Sequence, residues 1–417
     1  MINKKKWVFF VLIILTILIL DVFNLTPLAR LVSYTLVGLS TIGHYFFITD
    51  LKIFPKRLRF WYLVAILLML TSIFTCYIHY GQSLVSGFVA NVKFYHTGSV
   101  ILFVYFFRKY KLSPPKYISI IIKLGWILLI LLALMVITNF EFINESELTG
   151  KIVSIHAGKV DKTLINLIAI FWFSKFLYKS NYEYLLYSLL FFAGNHFYEI
   201  QRFNLLTILL IIGVGFIKNK NSKSKIKVIM PAIFAIVLTA IFLFNTTEGD
   251  SLINRFYEAA KIVTEEDASN INDPSTAIRI FEMDFALERF KEHPFFGNGF
   301  FRASEKDNVI GAGIYFYPLD IGLYGVLYSF GILGMIIFLL QLKLIWKYLK
   351  IKRLNQYGFF VLLGLLFFVA YSVLTGYMIN NYKSFYFLVC LFELFNSYNF
   401  VGRDRRYDRH LVLGGGQ

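Results

Sequence analysis

Long apolar runs alternate with short polar breaks along the chain. A helix that crosses the hydrocarbon core satisfies its own backbone and needs about 20 mostly apolar residues. Twelve stretches fit that pattern, near residues 7–23, 28–48, 60–79, 88–107, 117–138, 163–178, 182–198, 203–217, 227–244, 319–342, 357–378 and 384–400, with the sixth to eighth short. The predicted fold class is an all-α polytopic membrane protein of about 12 transmembrane helices, a single integral membrane domain over residues 1–417. Met1 to Leu20 has the basic start and apolar run of a signal peptide. Asp21 to Thr26 lacks the small-residue pattern of a cleavage site, so the segment reads as a retained first span.

Orientation follows from Lys and Arg, which concentrate in cytoplasmic connections. Lys4 to Lys6, the four of Lys52, Lys56, Arg57 and Arg59, the four of Arg108, Lys109, Lys111 and Lys116, Lys175 with Lys179, Lys218 to Lys227, Lys343 to Arg353 and Arg403 to Arg409 all fall on one side. Both termini are then cytoplasmic. Two connections on the opposite side stand out, a long extracytoplasmic loop over residues 245–318 between the ninth and tenth spans and a smaller one over 139–162.

Composition agrees with this class: 58% of residues are hydrophobic and 16% charged, which a soluble domain could not bury. The net charge of +17 sits in short runs between spans, so nucleic acid is excluded as a partner, and membrane lipid is the expected surrounding. Cys76 and Cys390 lie inside apolar segments and read as small buried residues. His44, His79 and His196 have no second ligand at helical spacing, so no metal is expected. The absence of a P-loop or dinucleotide fingerprint leaves no cofactor to expect either.

The chemistry concentrates in the long loop. Ser251 to Val263 carries Leu252, Ile253, Phe256, Tyr257 and Ala260 at helical spacing. A second helix should begin at Asp273-Pro274, place Ile278, Phe281 and Phe285 along one face with Arg279 and Glu282 on another, and stop at His293-Pro294. Gly297 and Gly299 then allow a tight turn back toward the membrane.

The run STAIRIFEMDFALERFKEHPFFGNGF, Ser275 to Phe300, resembles the loop signature of the O-antigen polymerase and ligase superfamily: an Arg-led helix followed by His-Pro-x-x-Gly-x-Gly. The segments Pro318-Leu319-Asp320-Ile321-Gly322 and Phe330-Gly331-Ile332-Leu333-Gly334 are similar to the start of the following span in those proteins. The resemblance implies a glycosyltransferase of the bacterial inner (plasma) membrane, multi-pass, with its active site on the periplasmic side. Its substrates would be undecaprenyl-pyrophosphate-linked glycans, its product O-antigen or a similar surface polysaccharide of the lipopolysaccharide type, and a chain-length regulator a possible partner.

A lipid pyrophosphate leaving group needs Arg or Lys against its growing charge, and a sugar hydroxyl acceptor needs a carboxylate or His to take its proton. The cationic candidates are Arg279, carried over from the family pattern, with Arg202, Arg255 and Arg302. Arg202 resembles an arginine found at that place in the superfamily, and interfacial snorkelling explains it as well. Arg302 starts an Arg-x10-Gly spacing ending at Gly313, a pattern of some polymerases that chance also meets. The acid candidates are Asp320, which a helix N-cap also explains, and Glu282, which an ion pair with Arg279 on a solvated face also explains. His293 reads as a helix stop, and Lys151 and His156 in the smaller loop are candidates for phosphate or acceptor. Glu393, inside the last span, marks either an ion pathway or a partner for Lys383 or a Tyr hydroxyl.

Ligases of the superfamily usually carry a histidine just before the tenth span, where this chain has Tyr315-Phe316-Tyr317-Pro318. With Asp320 present, that favours a polymerase of lipid-linked repeat units, with an O-antigen ligase as the alternative. A flippase or exporter of lipid-linked oligosaccharide is the alternative of another class. It predicts basic residues within the spans, whereas all but Lys123 fall in connections or at span ends.

Overall fold

The computed structural model describes residues 4–20, 26–137, 142–145, 152–155, 163–196, 211, 213–215, 274–302, 316–318, 321–351, 354–375 and 382–396. Within them the chain runs through α1 (Lys4–Ile19), α2 (Thr26–Thr49), α3 (Lys56–Tyr80), α4 (Leu84–Ala90), α5 (Val92–Tyr95), α6 (Thr97–Lys109) and α7 (Pro114–Ile137). Next come strands β1 (Phe142–Glu145) and β2 (Ile152–Ile155), then α8 (Thr163–Lys179) and α9 (Tyr182–His196). The loop helix α10 (Pro274–Glu292) precedes α11 (Leu323–Leu349), α12 (Gln356–Thr375) and α13 (382–396).

Among the described residues four stretches, Leu31–Thr49, Lys56–Tyr80, Pro114–Leu134 and Leu323–Leu349, are long and apolar enough to cross a membrane, and Lys6–Ile19, Tyr182–Ala193 and Gln356–Ser372 are shorter apolar helices. The expected span at 227–244 lies outside the described residues, as does all of 203–217 except 211 and 213–215. The smaller loop departs from a purely helical chain. Its two strands pair antiparallel, Phe142 opposite Ile155 and Glu145 opposite Ile152, in segments whose β-branched and aromatic residues suit a ribbon.

The expected fourth span is not one helix but three short ones, α4, α5 and α6, broken at Asn91 and His96. Polar side chains at the breaks bond to nearby carbonyls and so compete with the helical ladder: Asn91 Nδ2 donates to Gly87 O at 2.9 Å, Thr97 Oγ1 to Phe94 O at 2.7 Å and Ser99 Oγ to His96 O at 2.6 Å. Beyond the break α6 crosses α2 at very short range. A Cβ on Gly43 would stand 1.8 Å from Gly98 O, a close approach that only paired glycines permit.

A second break lies in α11 at Gly331, whose φ 57° and ψ −148° are essentially reserved for glycine. In a continuous helix, Ile332 N would donate to Tyr328 O and Leu333 N to Ser329 O. Here the segment after α10 takes all four groups. Asn298 N donates to Tyr328 O at 2.7 Å and Gly299 N to Ser329 O at 3.0 Å, while Ile332 N and Leu333 N donate to Pro294 O at 2.8 Å and Phe295 O at 3.1 Å. Two helical hydrogen bonds are thus replaced by four to a segment thirty or more residues earlier in the chain, so each of the four groups that the break frees is paired.

The far side of the same segment is held by α3 and the turn after it. Phe300 N donates to Ser72 Oγ at 2.8 Å and Arg302 N to Gln82 Oε1 at 3.0 Å, and the Cys76 thiol reaches Asn298 O at 3.2 Å. Gly297 and Gly299 have φ of +71° and +76°, and a Cβ on Gly299 would lie 2.6 Å from both Cys76 Sγ and Ser72 O. The motif His-Pro-x-x-Gly-x-Gly is therefore a clasp between α3 and α11. At the other end of the bundle, Glu393 accepts from Arg57 Nη1 at 2.6 Å and from Tyr348 OH at 2.8 Å, so its partners are Arg57 and a tyrosine and not Lys383.

Substituting Gly331→Ala should destabilise the protein markedly. The new Cβ would meet Pro294 O at 2.4 Å and the backbone conformation alone costs about 1–3 kcal/mol. The unfolding midpoint of the purified protein should fall well below that of the neutral control Gly38→Ala, whose added Cβ meets nothing within 4 Å. Equal midpoints would show that α11 tolerates an unbroken course there.

Candidate functional site

Helix α10 begins at Pro274, where proline costs no helical hydrogen bond, and ends at Glu292 before His293-Pro294. Its apolar residues divide between two sides. Ile278 and Phe281 are exposed, at 44% and 50%, while Glu282 and Ala286 are buried at 1% each. The inward side carries the row Arg279, Glu282, Ala286 and Arg289 at helical spacing, with Arg279 and Arg289 half-buried at its two ends, beside the buried Ile280 and the half-buried Phe285. Beside a membrane the exposed Ile278 and Phe281 can face lipid and headgroups, while Phe285 of the same row packs inward.

Glu282 is the fixed point of this stripe. It lies on no solvated face: one carboxylate oxygen accepts the backbone N–H of Tyr317 at 2.6 Å. That bond ties α10 to the chain three residues before Asp320 and just ahead of α11. Around it Ala286, Phe316, Ile321 and Tyr328 make a small apolar core, with the Phe285 ring tilted against Phe316 at 4.8 Å.

Toward the C-terminal end of α10 the stripe meets the top of α3. Arg289 Nη1 donates to both oxygens of Glu292, at 3.2 and 3.0 Å, and its guanidinium lies 5.5 Å from the Phe285 ring. The Glu292 carboxylate holds the guanidinium above its ordinary value. The His293 ring stacks on His79 at 3.8 Å and meets Tyr80 edge-on at 6.1 Å. Asn298, fully buried, donates through Nδ2 to Arg289 O at 3.1 Å and Tyr328 O at 3.2 Å, and accepts from the Tyr80 hydroxyl. Backbone and side chain of one asparagine thus join α3, α10 and α11.

The structure brings Arg279 and Glu282 onto one inward face and places Arg302 at the end of the clasp, side chain exposed and backbone bonded to Gln82. Asp320, Arg202, Arg255, Lys151 and His156 lie outside the described residues. Tyr80, His79, Arg289 and Asn298 were missed by sequence reasoning. Arg289 had a signal, since it follows Arg279 and Glu282 on the same helical face; the α3 residues had none, because only the folded chain sets them beside the loop.

The sequence model of a protein family described as O-antigen ligase matches residues 186–339, from α9 through the loop helix and the clasp into α11. The match supports a relationship to the O-antigen polymerase and ligase superfamily and does not separate its polymerases from its ligases. No curated protein matches the chain.

The stacked pair gives a pH dependence. Burial first, then the neighbouring His79, hold His293 below the ordinary 6.5, so folding favours its neutral imidazole. Above pH 6.5 this contribution is complete; as pH falls through that value toward the lowered folded one, the unfolded chain takes up its proton first and stability is lost. The unfolding midpoint, followed from pH 8 to pH 5, should drop in the lower half of that range, and His293→Gln should flatten the drop. An undiminished drop in the variant would remove His293 as its cause.

Proposed function

We propose that the chain is a membrane glycosyltransferase that polymerises undecaprenyl-pyrophosphate-linked repeat units into a surface polysaccharide at the periplasmic face of the bacterial inner membrane. The observation that carries this reading is the inward stripe of α10, on which Arg279 and Glu282 are held against the start of α11 within the segment that the family match covers. In the reaction, the acceptor hydroxyl oxygen attacks the anomeric carbon of the growing glycan. The glycosidic bond to the pyrophosphate breaks, its electron pair leaves with the phosphate oxygen, and the hydroxyl proton passes to a carboxylate.

Arg279, joined by Arg202 and Arg255, stabilises the charge that grows on the leaving group. Asp320 takes the proton. Glu282, already accepting the Tyr317 amide, positions the chain that carries Asp320. Arg302 at the mouth and Lys151 with His156 of the smaller loop bind the acceptor glycan. The single displacement inverts the anomeric configuration, and a product linkage with retained configuration would sink this version.

A second reading, the ligase, is favoured by the description of the matching family. The ladder of glycan lengths decides between them. Cells carrying Arg279→Ala at wild-type expression should accumulate single-repeat products with export intact. A normal ladder would take Arg279 out of the site, long chains left on the carrier would favour the ligase, and repeat units trapped on the cytoplasmic face of a null strain would favour an exporter.

A further inference from the structure

The two broken helices meet. Phe94 in α5 packs against Phe330, next to the α11 break, at 5.8 Å, against Phe300 of the clasp at 6.4 Å and against Tyr382 at the start of α13 at 6.0 Å. Irregular backbone at membrane depth occurs where it is buried in protein or lines a polar cavity, and here both breaks share one region on the membrane side of the clasp.

That region is polar and basic. His96, at the second break of the fourth span, is 4% exposed, and neither ring nitrogen has a hydrogen-bond partner among the described residues. A ring nitrogen faces the Ser33 backbone without reaching hydrogen-bond geometry. Ser40 Oγ, His44 Nε2 and Asn91 Oδ1, along the seam between α2 and the broken span, are likewise buried without such partners. Buried polar atoms are rarely left unpaired, so a cluster of them marks a place where something polar is held.

The charges on the described residues that act on the His96 ring are Lys383 and Lys93, both positive. Lys383 is 3% exposed, next to the Tyr382 that touches Phe94. The acid of the same helix, Glu393, stands ten residues on, about 15 Å along the axis, and is engaged by Arg57 and Tyr348. An ionisable side chain at this depth is costly and marks a functional site by default.

We propose that His96, Lys383 and Lys93 form an anion-binding site at the break of the fourth span that takes a phosphate-bearing group. Resting on the function proposed above, the occupant is the diphosphate of the isoprenoid-linked acceptor, held on the membrane side of the clasp while Arg279 of the loop helix meets the donor's. A diphosphate offers acceptor oxygens only, so two lysine ammoniums and an imidazole N–H supply the donors and the positive charge it requires, and a neutral sugar would gain little from that charge.

The test is the affinity of farnesyl diphosphate for the full-length protein in phosphatidylcholine nanodiscs. Wild type should bind, Lys383→Gln and His96→Gln should each lose at least tenfold, Lys383→Arg should stay within a few-fold, and Lys93→Gln, whose side chain is exposed and whose folding should be unaffected, should lose severalfold. If Lys383→Gln and His96→Gln fail to fold, unchanged affinity in Lys93→Gln overturns the site. Affinity unchanged in all three but lost in Arg279→Ala overturns this site and leaves the proposed function standing. No binding by wild type overturns both. Inorganic pyrophosphate distinguishes the source: competition at comparable concentration means that the phosphates alone are recognised, and its failure to compete means that the lipid-borne group is required.

Discussion

The break at Gly331 is the constraint on which the rest of this structure turns. A helix in a membrane cannot open without losing backbone hydrogen bonds that lipid will not replace, so the carbonyls of Tyr328 and Ser329 and the amides of Ile332 and Leu333 must find partners from the protein. They find them in Pro294 to Gly299. Everything else follows from that exchange: the clasp needs glycine at 297 and 299 to pass between α3 and α11, it delivers α10 to the mouth of the bundle, and it leaves Asn298 buried at the junction of three helices.

The membrane also decides which way the loop helix faces. With water on its outer side, Ile278 and Phe281 would turn inward and the charged row would be solvated. With lipid and headgroups there, Ile278 and Phe281 can remain outside while Glu282 turns to the protein and accepts the Tyr317 amide.

Much of this was legible in the residues. The apolar runs, the start and stop of α10 and the turn at Gly297 and Gly299 are all local signals, and the apolar setting of Cys76 and Cys390 told correctly of buried free thiols. Their pairing was not legible, because hydrogen bonds between main-chain groups thirty residues apart leave no mark in side-chain pattern. The facing of α10 was not legible, because an amphipathic pattern says which residues share a face and not what that face meets. The division of the fourth span had a signal in Asn91 and His96, polar residues in an apolar run, that hydropathy alone averages away.

The most direct test of the clasp is amide hydrogen exchange resolved to single residues in the intact protein. The exchange of partners across Gly331 predicts that Asn298 and Gly299 are protected to the same degree as Ile332 and Leu333, since each pair is held by the other strand of the same clasp. Protected amides at Ile332 and Leu333 beside rapidly exchanging ones at Asn298 and Gly299 would mean an unbroken α11 with the loop merely resting on it, and would contradict the account.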